Sequence, residues 1–80
     1  MAIGIVLIIA SMPKKRLVYD GLLRISAIKE LNLLPGKYDL VARVEADSRE
    51  RIGKIVVGQI RPLDGIIDTK TLTGLGVNFQ

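Results

Sequence analysis

Eighty residues, 39 of them apolar, with 12 basic and 8 acidic side chains, describe one small domain and leave no room for two. Neither Cys nor His occurs, which excludes disulfides, thiolate or imidazole metal sites and the usual neutral-pH proton shuttle, and with them most hydrolase and metalloenzyme chemistry. Ile, Leu and Val alone make 29 residues and the mean hydropathy is positive, too apolar a load for so short a chain to hide by itself, so oligomerisation is expected.

The net charge of +4 is modest, and only Lys14-Lys15-Arg16 forms a run. With Tyr19, Tyr38 and Phe79 as the only aromatics, the chain lacks both the basic stripe and the stacking platforms of a nucleic-acid binder, so that run reads as a solvated helix start. The apolar opening, residues 2–10, is far shorter than the ~18 residues of a membrane span, and its cations follow it rather than precede it. A soluble cytoplasmic protein with no membrane or nucleic-acid partner is expected. The Ile-rich composition without Cys or His suits a thermophile.

Residues 3–9 are β-branched without polar alternation and read as a strand buried on both faces, in the middle of a sheet. Met12-Pro13 punctuates, and Leu17, Val18, Gly21, Leu22 and Ile25 then recur at helical spacing, predicting an amphipathic helix over residues 14–24. Residues 28–34 and 39–45 read as two strands of a hairpin joined at Pro35-Gly36. In the second of these, Leu40, Ala42 and Val44 share one face, and Asp39, Val41, Arg43 and Glu45 the other. Asp47-Ser48-Arg49-Glu50 resembles a capping box, with Asp47 as the cap, ahead of a helix over residues 48–60 carrying Ile52, Ile55, Val56 and Ile60. Gly53 and Gly58 cost that helix about 1 kcal/mol each, which a close approach to the sheet or to a neighbouring subunit would offset. A last strand is predicted over residues 66–72, and Leu75, Val77 and Phe79 alternate as if to add a short strand against a partner.

The order strand, helix, strand, strand, helix, strand is a split β-α-β unit: an α+β, ferredoxin-like βαββαβ fold, an antiparallel sheet with both helices on one face. The other face is then bare, yet both alternating sets of the first strand are apolar. A second copy laid face to face covers it most economically, giving a two-fold dimer of the α/β-barrel kind.

Little remains for catalysis. Asp39 and Glu45 share a strand face but lie roughly 20 Å apart, too far for a paired acid and base, and Gly74-Leu75-Gly76 lacks the third glycine and helix of a dinucleotide fingerprint. No catalytic residue, metal ligand or cofactor is expected. Two stretches have chemistry to offer: Pro35-Gly36-Lys37-Tyr38-Asp39 and Thr69-Lys70-Thr71. As packing, they are a hairpin turn and an edge strand. As chemistry, a glycine-bearing turn offers amides to a carboxylate, Asp39 offers an anion to an ammonium, and the threonine hydroxyls serve either, which together describe a receptor for an amino-acid zwitterion.

Gly36-Lys37-Tyr38-Asp39 resembles the Gly-x-aromatic-Asp signature, and Gly65-Ile66-Ile67-Asp68-Thr69-Lys70-Thr71 the Gly-Val-x-x-Thr-x-Thr ending, of the effector domain of the leucine-responsive (Lrp/AsnC, feast/famine) transcription regulators. The spacing between the motifs also fits, and the resemblance covers residues 3–72. It implies a ferredoxin-like dimer assembling further into rings such as octamers or decamers, with free amino-acid effectors bound between dimers. Carried over by position, Gly36, Tyr38 and Asp39 fall on the turn that receives the effector's polar groups. Thr69, Thr71 and Leu72 fall on the last strand near the same site, and Leu33 on the strand leading into the turn. Pro35 departs from the small polar residue usual before the glycine and removes a donor. In the regulators a helix-turn-helix domain precedes this unit, whereas here residue 1 lies against the first strand, so a stand-alone RAM (regulation of amino acid metabolism) domain over residues 1–80 is expected.

The resulting expectation is a non-enzymatic amino-acid sensor without DNA-binding machinery that acts by assembling, or by joining full-length regulators of the same family. Leu31, Leu33, Leu34 and Leu72 near the turn point to a branched or apolar effector. Two other readings stand beside it: a purely structural assembly subunit, and a small dimeric α/β-barrel enzyme, for which the usual interior histidine is missing.

Overall fold

Four strands and two helices alternate in the predicted order in the computed structural model, which describes residues 1–73. Strand β1 (Ala2–Ala10) is followed by a 3-10 turn (Met12–Lys14) and helix α1 (Lys15–Leu23); β2 (Ile28–Leu33) and β3 (Leu40–Ala46) form the hairpin; α2 (Arg49–Ile55) runs into a π-helical turn (Val56–Ile60); and β4 (Ile66–Thr73) closes the sheet. The strand order is β2-β3-β1-β4 with every neighbouring pair antiparallel, a ferredoxin-like α+β fold. The alternation of Leu75, Val77 and Phe79 lies outside the described residues.

Cross-strand pairing sorts the residues onto two faces. On the helix side, Val6, Ile8 and Ala10 of β1 and Leu40, Ala42 and Val44 of β3 are buried beneath Val18, Leu22, Ile25, Ile52, Ile55, Val56 and Ile60. Burying each large aliphatic side chain here contributes about 1.5–3 kcal/mol before the entropy of ordering the chain is set against it. On the other face Ile3, Ile5, Leu7 and Ile9 run down the centre, half-buried only by their neighbours, next to Val41 and Leu72. Glu30, Arg43 and Glu45 flank this stripe on one side, Asp68 and Lys70 on the other. Arg43 donates to both glutamates, and its bond to Glu30 is the main reason its pKa is raised. The bare apolar face anticipated from the alternation is therefore present, and β1 is buried fully on only one side.

Several local expectations are corrected. Helix α1 starts one residue late because residues 12–14 tighten into a 3-10 turn around Pro13, and it ends one residue early, with Arg24 as its C-cap. Leu17 is exposed, whereas Val18 and Leu22 face the sheet. The second helix is capped by Ser48, whose Oγ accepts from the Arg51 amide at 3.1 Å; Asp47 lies one residue outside, so Glu50 is not placed to complete a capping box. The α-helix also ends at Ile55, after which the π-helical turn carries Ile60 inward. A Cβ at Gly53 or Gly58 would meet nothing within 4 Å, so no close approach to the sheet accounts for either glycine. Strand β3 begins at Leu40, and Asp39 belongs to the loop before it, not to the outward face of the strand.

Candidate functional site

The β2–β3 loop, residues 34–39, closes with the Leu34 amide donating to the Asp39 carbonyl at 2.9 Å. Gly36 sits within it at φ 103°, a left-handed conformation that favours glycine, and a Cβ there would point into open space. Tyr38 is half-buried with the Lys37 ammonium 5.6 Å from its ring centroid, within cation–π range.

Asp39 is the anchor of this loop. Its amide donates to the Ile8 carbonyl at 2.8 Å, its Oδ2 accepts from the Ala10 amide at 2.8 Å, and its Oδ1 lies 3.3 Å from the Lys15 Nζ. Both ends of the β1–α1 connection are thereby tied to the β2–β3 loop. The Ala10 amide holds the Asp39 carboxyl below its ordinary pKa, burial opposes this, and Lys15 adds to it. The rest of the basic run is paired as well: Lys14 with Asp64 at 2.9 Å, and Arg16 with Asp20 at 3.2 Å.

Beside this ion pair, α1 and the edge of β2 enclose an open groove of about 550 Å³ lined by Met12, Pro13, Lys15, Arg16, Tyr19 and Leu33. Leu33 pairs with Leu40 on the helix side of the sheet but, on the edge strand, remains largely exposed toward the groove.

The residues singled out from the sequence divide into two groups that one protomer does not unite. Leu33, Gly36, Tyr38 and Asp39 gather at the β2–β3 end. Thr69, Thr71 and Leu72 lie on β4, the opposite edge of the sheet; Thr69 and Leu40 flank Ile8 from either side, so β4 lies two strand spacings from β3, roughly 10 Å. Thr69 is buried, its Oγ1 accepting from the Arg61 Nε at 2.9 Å; Thr71 is exposed on the same side; Leu72 lies on the bare face beside Ile5. Sequence reasoning missed Lys15 and the Met12–Tyr19 wall, because the Lys14-Lys15-Arg16 run was read as a solvated surface. The usable signal was topological: a ferredoxin-like order places the end of β1 beside the start of β3, hence Lys15 near Asp39. Among the described residues no group of three or more Asp or Glu converges to hold a metal ion.

No family model matches the chain. The uncharacterized HTH-type transcriptional regulator PH1916 of Pyrococcus horikoshii is 34% identical over 58 residues, which cover 72% of this chain and 39% of that regulator. Among solved structures, FFRP-DM1 has a TM-score of 0.85 at 29% identity, over 91% of this chain and 97% of that one. This chain is thus similar in sequence to HTH-type transcriptional regulators and, in sequence and fold, to FFRP-DM1. The AsnC protein of E. coli shares the fold, with a TM-score of 0.85 at 21% identity over 92% of this chain and 50% of AsnC. The chain thus spans between 37% and 39% of the length of the curated regulators it matches.

Proposed function

We propose that this chain is a non-enzymatic amino-acid-binding module of the RAM kind, signalling through its state of assembly. Its homology to transcription regulators supports a regulatory role, and FFRP-DM1, matched over 97% of its length, is a solved chain of similar size with the same fold. The observation that carries the reading is the Asp39 carboxylate of the Gly36 loop, ion-paired with Lys15, which itself lines an open, mainly apolar groove with Met12, Tyr19 and Leu33. Two copies pair through the bare faces, removing Ile3, Ile5, Leu7 and Ile9 from water. Dimers then associate so that the Gly36–Asp39 loop of one copy meets β4 of another, which answers the separation of the two groups within a protomer. On β4, Thr71 is the hydroxyl free to take part, since Thr69 is committed to Arg61. The ligand is a free amino acid, branched or apolar, bound at these junctions in an octameric or decameric ring. Full-length regulators of the same type are further partners.

Calorimetric titration of the protein with each of the twenty amino acids, with sedimentation analysis of the loaded and unloaded forms, tests this. Saturable binding by an apolar subset and a change in assembled mass are expected, because a ligand that bridges copies must favour their association. One observation favours a purely structural assembly subunit instead: both Asp39 oxygens already have partners inside the protomer. An assembly whose mass no amino acid alters, with no heat across the panel, would decide for it.

A further inference from the structure

Two departures from regular secondary structure border one cleft, at the end of β2 away from Leu33 and the Gly36 loop. In β2, Ile28 pairs with Val44 and Glu30 with Arg43, so Lys29 is the extra residue of a β-bulge, and it comes to line the cleft opposite α2. On the facing wall Arg51 and Ile55 lie one turn apart on α2, and a row of every fourth residue drifts around an α-helix. The wider π-helical turn over Val56–Ile60 takes that drift back and brings Gln59 into line with them. Bulges and π-helical turns both recur at functional sites. The cleft, about 310 Å³, also collects charge that the fold does not use. Lys14, Lys15, Arg16 and Arg43 are held in ion pairs, whereas Lys29 and Arg51 are in none among the described residues. Of the acids lining it, Glu45 is taken by Arg43, which leaves Asp47.

We infer that this cleft binds a small phosphate ester: Lys29 and Arg51 receive the phosphate dianion, and Ser26, Asp47 and Gln59 receive hydroxyl groups of the carrier. Two unpaired cations match a dianion, of which a single carboxylate would satisfy only half. A planar guanidinium beside a compact ammonium is a pairing suited to phosphate oxygens. Asp47 repels a bare anion but accepts from a hydroxyl, so it selects an ester that carries hydroxyls over inorganic phosphate. The volume lies at the lower bound of small-molecule sites, which suits a carrier of a few carbons. The site is separate from the Gly36 loop and stands whether or not the protein binds amino acids.

The probes are glycerol 3-phosphate, inorganic phosphate, glycerol and a short DNA duplex, titrated calorimetrically at low salt, in a buffer without phosphate, into the wild type and the variants Lys29→Gln, Arg51→Gln and Lys54→Gln. All three side chains are exposed, so no substitution opens the core, and circular dichroism checks each fold. Lys54 lies on α2 outside the lining and serves as the control. One glycerol 3-phosphate per chain is expected, bound more tightly than inorganic phosphate, with glycerol silent. Lys29→Gln and Arg51→Gln should each weaken it about tenfold, the loss of one charge-assisted contact, and Lys54→Gln should leave it unchanged. Affinity should also fall as the pH drops through the second phosphate pKa, about 6, because the dianion is the bound form. No saturable heat with glycerol 3-phosphate would overturn the site, and so would affinity within about threefold of wild type in either cleft variant. Equal weakening in all three variants would mark a diffuse basic surface instead, and a duplex bound more tightly than the ester with that same pattern would assign the surface to nucleic-acid backbone. Inorganic phosphate bound as tightly as the ester would overturn the hydroxyl contacts and with them the ester class.

Discussion

Asp39 illustrates how the place of a side chain escapes a reading by strand alternation. Its position after Gly-x-aromatic marked it as an anion for binding, but strand alternation put it on the outward face, where no contact with the β1–α1 junction could be foreseen. Alternation is a property of paired strand residues, and Asp39 is in the loop, where side-chain direction follows local hydrogen bonds instead. Its lowered pKa gives its role a pH signature. A carboxyl whose folded pKa is depressed stabilises the fold above its unfolded pKa, and that stability is lost as the pH falls through the folded pKa. Asp39→Asn should therefore be less stable than wild type in urea near neutral pH, by about 1 kcal/mol for a partly exposed charge-assisted contact. The difference should shrink as the solution is acidified below the ordinary carboxylate range. A gap that stays constant with pH would mean that the charge does not fasten the loop.

At the scale of elements, the strands and helices were legible because their periodicities differ, and the misses fall at their ends. A sequence pattern reports which residues face the core, but the last turn of a helix is decided by where the chain must go next. Hence α2 gives way to a π-helical turn at Val56 while Ile60 remains in the core. Gly65, at the turn into β4, shows the same dependence on neighbours. Its φ is 106°, and a Cβ would come within 2.8 Å of both Lys14 Cβ and Val18 Cγ2, while its carbonyl accepts from the Ser11 amide at 2.7 Å. Gly36 has nearly the same φ but open space. Gly36→Ala should thus cost only the conformational strain, about 1–2 kcal/mol. Gly65→Ala should cost more, since α1 must also shift, and urea denaturation of both variants checks the order. Equal losses would show that α1 yields without cost at that contact.

On the scale of the whole molecule, the excess of apolar residues resolves into one geometric feature, the stripe of Ile3, Ile5, Leu7 and Ile9 left uncovered on the sheet. Leu7 sits at its centre between Val41 and Lys70. Leu7→Lys places a charge where a second copy would have to desolvate it, so the variant should sediment as a monomer. Its melting temperature should also become independent of protein concentration, as mass action requires when no association stabilises the native state. An unchanged assembly would move the contact to another surface. The groove at α1 lies on the opposite, helix side of the sheet, so this substitution leaves its lining intact.

The sequence by itself determined the order of elements, the ferredoxin-like class, the bare apolar face and the glycine-bearing loop, because each is written in local spacing that survives any arrangement of distant parts. It also carried both motifs of the proposed site. What only the tertiary structure decided is which of those residues meet. Leu33 and Asp39 come to lie beside Lys15 because β3 pairs with β1, whereas Thr69, Thr71 and Leu72 are carried to the far edge because β4 pairs with the other side of β1. Strand order is set by long-range pairing and loop closure, which no window of neighbouring residues contains.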